Sequence, residues 1–372
     1  MTSVAGHDID RQALVLLCAP TALGGGSVAA FSPAAWHDFV EVLAERSVSP
    51  GELLDMSEAA LESDLGLTAD QADRVVRLLG RGGPVAIEVE RLASRGIWLA
   101  ALGDEIYPQR LVDTLAGKAP PILFGVGNAG VASQQNLAIV GSRDADDDAI
   151  EFTERVAASA VDGELNIISG AARGVDAAAM TSALEHGGSA VGVVADGLEK
   201  RIREPQIRIW LADEQLCLLS PHGPTTGFSV GAAMGRNKII YGLSEFALVV
   251  SAMPGRGGTW AGATEALKGK WSTVFVRQVP TSTPGESAHE RLLALGARPF
   301  PEPTPESMTL ELLTKLAEPH SPLPDYRQQT PAEEAAVPAV QATLFGDAEP
   351  VVIRRASARD RKKRTKRRAV QP

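Results

Sequence analysis

Between Gly96 and Phe300, short apolar runs rich in β-branched residues alternate with stretches whose apolar positions recur every three or four residues. The runs predict strands at Leu137–Val140, Ile167–Ser169, Val191–Val194, Leu216–Ser220, Ala247–Ser251 and Thr273–Val276. The stretches predict helices at Ala149–Val161, Asp176–His186, Ile202–Asp213, Ala232–Leu243 and Gly262–Lys268. Strands so uniformly apolar, each followed by a helix, imply an α/β fold with a doubly wound, mostly parallel sheet covered on both faces. Ligands of such sheets bind beyond the carboxyl ends of the strands, where the strand order reverses.

The chain before this region reads differently. Residues 10 to 85 predict short helices, with Ser57 capping one and Thr68 another after a glycine-led turn at Gly66. Such a turn and helix suit a helix-hairpin-helix or SAM-like module, and equally a generic helical packing domain. The apolar stretch from Ala13 to Phe31 is preceded by Asp8 and Asp10 and broken by Pro20 and Gly24-Gly25-Gly26. It reads as a buried helix and turn, not a secretion signal. Three segments follow: a helical domain over 1–90, the α/β domain over 91–300, and a tail over 301–372, mostly disordered and rich in Pro, Glu, Ala and Thr.

Composition changes little in this picture. Of 372 residues, 44% are hydrophobic and 22% charged, ordinary values for a globular protein. Cys18 and Cys217 stand far apart and give no disulfide framework or zinc cluster, so no metal site is expected and a reducing, cytoplasmic setting is. No run approaches the ~20 apolar residues of a membrane span. Charge is more telling. The net charge is −10, yet residues 354 to 368 alone carry +9, which leaves −19 on the rest. A basic run of this kind suits a nucleic-acid tether acting through counterion release, or a contact with the acidic body.

Four clusters carry the candidate chemistry, three of them strand-to-helix turns. Gly141-Ser142-Arg143 offers close backbone approach, a hydroxyl and a bidentate cation for phosphate. Ser169-Gly170-Ala-Ala-Arg173-Gly174-Val-Asp176 repeats the arrangement, with Asp176 placed to cap the next helix or to hold Arg173. Arg236, Asn237 and Lys238 add two cations and an amide, and Gly257-Gly258-Thr259 begins a further helix whose amides can hold an anion. Asp144, Asp146, Asp147 and Asp148 crowd the first turn and would repel an anion unless they point away. A solvated arginine, a surface ion pair or a plain helix cap is the competing reading at each position.

In order, Val140-Gly-Ser-Arg143, Ser169-Gly-Ala-Ala-Arg-Gly-Val-Asp176, Arg236-Asn-Lys-Ile-Ile-Tyr-Gly-Leu-Ser244 and Gly257-Gly-Thr-Trp260 resemble the DprA/Smf DNA-processing family. Tyr107-Pro-Gln-Arg-Leu111 and Pro120-Pro-Ile-Leu-Phe-Gly-Val-Gly127 look like that family's lead-in. The resemblance spans roughly residues 10 to 300. It implies a Rossmann-like core that binds single-stranded DNA without being an enzyme and without a cofactor. It also implies Arg143, Arg173, Arg236 and Lys238 as phosphate contacts, help in loading RecA, a role in DNA uptake, recombination or DNA-related defence, and a homodimer. Two departures stand out. Ala233 replaces the aromatic of the family's Phe-Pro-x-Arg-Asn pattern, with Phe228 able to substitute only if its loop refolds, and the C-terminal winged helix has no counterpart pattern.

A second resemblance, of Pro254-Gly-Arg-Gly-Gly-Thr259 with Glu265, is to LOG-type nucleotide phosphoribohydrolases, in which the glutamate is catalytic. Here the spacing to Glu265 is longer, and a helix-surface glutamate competes. In the tail, Gln341, Leu344 and Phe345 resemble the short peptide that docks on the bacterial β sliding clamp.

Overall fold

The computed structural model describes residues 4–278, 287–301 and 304–318, with side chains from residue 8 onward. A nine-stranded sheet runs in the order β1-β2-β6-β5-β4-β3-β7-β8-β9. The strands are β1 (Ile97–Ala101), β2 (Ile122–Gly127), β3 (Asn136–Val140), β4 (Asn166–Ser169), β5 (Ala190–Val193), β6 (Leu216–Ser220), β7 (Phe246–Val249), β8 (Thr273–Val276) and β9 (Arg298–Pro299). From β6 through to β9 every pair is parallel, while β2 runs antiparallel to both β1 and β6. The chain builds outward from β3 to β6, then returns to the other flank of β3 with β7. That reversal puts the switch point between β3 and β7.

Strand alternation decides which core each residue joins. Leu137 and Ile139 face α8 (Asp147–Asp162) and α9 (Val175–Glu185), in a core closed by Phe152, Phe275 and Phe300. Ala138 and Val140 face the opposite layer, with α12 (Val230–Gly242) and α13 (Gly258–Gly269). With both sides covered, β3 is buried at every position, which is why it reads as an unbroken apolar run.

Six helices precede the sheet: α1 (Val4–Cys18), α2 (Thr21–Gly24), α3 (Pro33–Glu45), α4 (Glu58–Leu65), α5 (Ala69–Leu79) and α6 (Gly82–Ala93). Ser57 and Thr68 cap α4 and α5 as predicted, and Gly66 takes a left-handed φ of 71° between them. The module shares one core with the sheet: Leu16, Leu43 and Leu78 pack in the same cluster as Met180, Leu184, Leu216 and Leu218. Arg91 of α6 and Arg95 just beyond it both grip Glu199, at 2.5 and 2.7 Å, in the short helix α10 (Leu198–Arg201). The helical module is therefore fastened to the α/β core by apolar packing, and the end of α6, from Arg91 to Arg95, by an ionic clamp.

Three expectations change. The helix expected over Ile202–Asp213 is shortened to α11 (Pro205–Ala212), with α10 ending before it, because Pro205 can open a helix but not sit within one. The antiparallel pair β1–β2 adds an edge absent from the expected strands. The fold also continues past 301: Met308 N–H donates to Ser159 O at 2.8 Å, and Met308 and Leu313 are fully buried against the α8 layer. Gly163 allows this strap, since a Cβ there would lie 2.1 Å from the Met308 carbonyl oxygen. Residues 319–372 lie outside the described residues, among them Gln341, Leu344, Phe345 and the basic run.

Candidate nucleic-acid interface

The three turns meet at the carboxyl ends of β3, β4 and β7, and Arg236, Asn237 and Lys238 reach them from within α12. Val250 N–H donates to Val140 O at 3.0 Å beyond the paired strands, the Ser142 amide donates to Ser251 Oγ at 3.0 Å, and Thr259 Oγ1 donates to Gly141 O at 3.0 Å. These bonds join the Gly141–Arg143 turn to the segment after β7 and to the start of α13. On the other side, Val175 N–H donates to Ser142 O at 3.2 Å. Gly174 has φ 79°, and a Cβ there would stand 2.3 Å from Ser142 O. The first two turns thus touch backbone to backbone, a contact only glycine allows.

Helices α9 and α13 begin on Gly174 and Gly257, with no side chain capping either end. Val175 N–H is taken by Ser142 O, and neither helix has a side-chain cap for its remaining first-turn amides, the kind of helix N-terminus that can receive an anion. The neighbouring helices differ. Asp146 caps α8, accepting from Ala149 N–H at 2.9 Å, and Ser229 caps α12, accepting from Ala232 N–H at 3.0 Å.

Each of the crowded aspartates is accounted for except Asp147, which is exposed. Asp146 is the cap, Asp148 pairs with Arg277 at 2.5 Å, and Asp144 pairs with Arg173 at 2.7 Å. Asp144 and Arg173 are both largely exposed, so the pair costs little to open for a phosphate.

The cations fall into two classes. Arg143 and Arg173 are exposed, and the Arg143 guanidinium lies 5.1 Å from the centroid of the Phe228 ring, itself 51% exposed. Phe228 therefore stands at the site as the loop is, with no refolding needed, and it adds the flat apolar surface that Ala233 lacks. Arg236, by contrast, is only 5% exposed and sits 3.8 Å from Asp176. Its guanidinium lies directly against Gly170, where a Cβ would be 1.7 Å from Nη1. Lys238 is drawn to Glu265 at 3.1 Å, and Asn237 Nδ2 donates to Gly258 O at 2.9 Å. Asn237 therefore serves the backbone, and Glu265 has the ion pair of a helix-surface glutamate. Trp260 packs against the core.

Asp176 corrects the sequence reading. It neither caps α9 nor holds Arg173; it is 7% exposed and faces inward to Arg236. Burial pushes its carboxyl above the usual range, against the Arg236 charge, the amides of Ala172 and Gly141 and the Ser169 hydroxyl, which favour the ionised form. Burial likewise lowers Arg236, opposed by Asp176. The Ser169 hydroxyl also reaches Ile139 O at 2.6 Å, and its single proton serves one acceptor at a time. Nothing in the sequence pairs Asp176 with Arg236, 60 positions on; only the topology joins them. Ser251 was likewise missed, although a hydroxyl just beyond a buried strand end is the signal that could have found it.

A family model described as DNA recombination-mediator protein A matches residues 98–310, more than half of the chain. The chain belongs to this family. It is 32% identical over 151 residues to the DNA processing protein DprA of Streptococcus pneumoniae, covering 40% of this chain and 52% of that protein. It is 31% identical over 196 residues to the protein Smf of Synechocystis, covering 50% and 46%. The chain thus spans about half the length of the curated relatives it matches. The solved structure of DprA from Streptococcus pneumoniae aligns over 78% of this chain and 94% of its own, with a TM-score of 0.57 and 22% identity, which shows a shared fold. The matched region contains all four clusters of the family member described here, while the six helices of the helical module precede it.

Proposed function

We propose that this protein binds single-stranded DNA across the carboxyl ends of β3, β4 and β7, in the DNA-processing role its family's name describes. The observation that carries the reading is the convergence of two glycine-begun, uncapped helices with the exposed guanidiniums of Arg143 and Arg173 beside Phe228. Amides and arginines suit phosphates, and an exposed ring suits an unpaired base, so affinity comes from backbone contacts and stacking with little sequence preference. Gly141, Ser142, Ser169, Gly170, Gly174, Gly257, Gly258 and Thr259 shape the cradle, and Arg236, Asn237 and Lys238 support it from below or beside. The bound strand is protected and handed to a RecA-type recombinase by a cytoplasmic homodimer, acting in recombination, uptake or defence.

Binding of labelled oligo-dT to the full chain tests this reading. Arg143→Ala with Arg173→Ala is expected to weaken binding and flatten its salt dependence by about 1.4 in log–log slope, from ~0.7 per phosphate contact on a single strand. Unchanged affinity and slope would remove the cradle from the binding site. For the tail, capture of the β sliding clamp is expected to be lost with Leu344→Ala and Phe345→Ala, and absence of capture by the intact chain would end that proposal.

A further inference from the structure

The turns of the site come from separate parts of the chain, and a buried carboxylate stands where they meet. Asp176 lies in the first turn of α9, yet Gly174 is the cap of that helix and no side chain bonds its end. The carboxylate instead faces the Gly141 amide of the first turn, the Ala172 amide and Ser169 hydroxyl of the second, and the Arg236 guanidinium of α12. Ala171, between Gly170 and Ala172, is held at φ 49°, a left-handed value that a non-glycine residue keeps only where its surroundings enforce it.

The contacts around Asp176 leave little freedom. Arg236 fills the space beside Gly170, and Gly174 lies against Ser142, so moving one turn moves the others. We propose that Asp176 is a positioning residue, drawing the Gly141–Arg143 turn, the Ser169–Gly174 turn and the Arg236 guanidinium into one anion cradle without touching the ligand. This role rests on the reading of the site as one for nucleic-acid phosphates. It follows the pattern in which buried outer partners fix the groups that meet a ligand.

Charge gives the proposal a sign that a bystander would not share. A carboxylate that merely neighbours a phosphate site repels the ligand, so its removal improves binding. A carboxylate that holds the cradle together weakens binding when removed, despite the gain in positive potential. The experiment is oligo-dT binding by the full chain carrying Asp176→Asn, alone and in an Arg143→Ala background, with thermal melting to establish that each protein is folded. Asp176→Asn is expected to lower affinity about tenfold or more, by analogy with outer partners of other sites. In the Arg143→Ala background it is expected to cost less than it does alone, because part of its effect runs through that turn.

Equal or tighter binding by Asp176→Asn overturns the proposal, as do fully additive losses in the double variant. Failure of the unsubstituted chain to bind oligo-dT removes the phosphate reading itself, and this role with it. If loss of one buried charge prevents folding, Asp176→Asn with Arg236→Gln removes both and leaves no unpaired ion. That folded pair is expected to bind about tenfold or more weakly than wild type, and wild-type affinity in it overturns the proposal.

Discussion

Gly174→Ala is the substitution for which the structure fixes the outcome most tightly. The residue has φ 79° and ψ −134°, a region that residues with a Cβ avoid, at a cost of order 1–3 kcal/mol. A methyl group there would also lie 2.3 Å from Ser142 O and 2.8 Å from Arg143 O, both backbone atoms that no rotamer change can move. Forcing such atoms apart costs about 1–3 kcal/mol more. We expect a loss near ~3 kcal/mol, which is roughly 6–12 °C of melting temperature at the 2–4 °C per kcal/mol of a large domain. Gly187→Ala supplies the control, because Gly187 has φ 78° but nothing within 4 Å of its Cβ position. It should show the backbone strain alone, with oligo-dT binding intact. Gly174→Ala should in addition lose about tenfold or more of its oligo-dT affinity, measured by fluorescence anisotropy below the melting range, because the Arg143 turn is displaced. Equal melting temperatures for the two variants, or unchanged binding by Gly174→Ala, would refute the backbone contact as the spine of the site.

Phe228→Ala is expected to cost about 1–3 kcal/mol of oligo-dT binding while leaving the salt slope unchanged, since stacking releases no counterions; a changed slope at constant affinity would contradict this. Glu199→Gln should lower the melting temperature at low ionic strength, with the difference narrowing toward ~1 M salt as the clamp to Arg91 and Arg95 is screened. An identical melt at low salt would show that clamp to be inert. Burial pushes the Cys217 thiol up to about 12 and Cys18 well above its ordinary value, so both remain protonated at pH 8. Neither should react with a thiol reagent until the protein is denatured, and rapid labelling of the native protein would contradict their burial.

Local pattern and long-range pattern were not equally legible in the chain. The parallel strands were readable because burial on both faces leaves an unbroken apolar run: Leu216–Ser220 and Thr273–Val276 coincide with β6 and β7's neighbour β8 to the residue. Ser57 and Thr68 were readable because capping is local, complete within three residues of the cap. The antiparallel edge was not. Ile97–Ala101 and Ile122–Gly127 are strands because they pair with each other across a 20-residue interval, and nothing in either stretch states the partner. The four clusters could be found from glycine and arginine spacing, yet the burial of Arg236 and its pairing with Asp176 depend on the order of β3, β4 and β7 in the sheet. For the same reason the place of Phe228 beside Arg143, 85 positions apart in sequence, follows from the fold and not from local pattern.

The most direct test is the affinity of the chain shortened after residue 318 for oligo-dT and for a duplex of equal length, across a salt series, with Arg143→Ala alongside. Preference for the single strand, declining with salt and reduced by Arg143→Ala, is the result this account predicts. Binding that vanishes with the basic tail, or that ignores Arg143→Ala, would contradict a DNA site at the carboxyl ends of β3, β4 and β7.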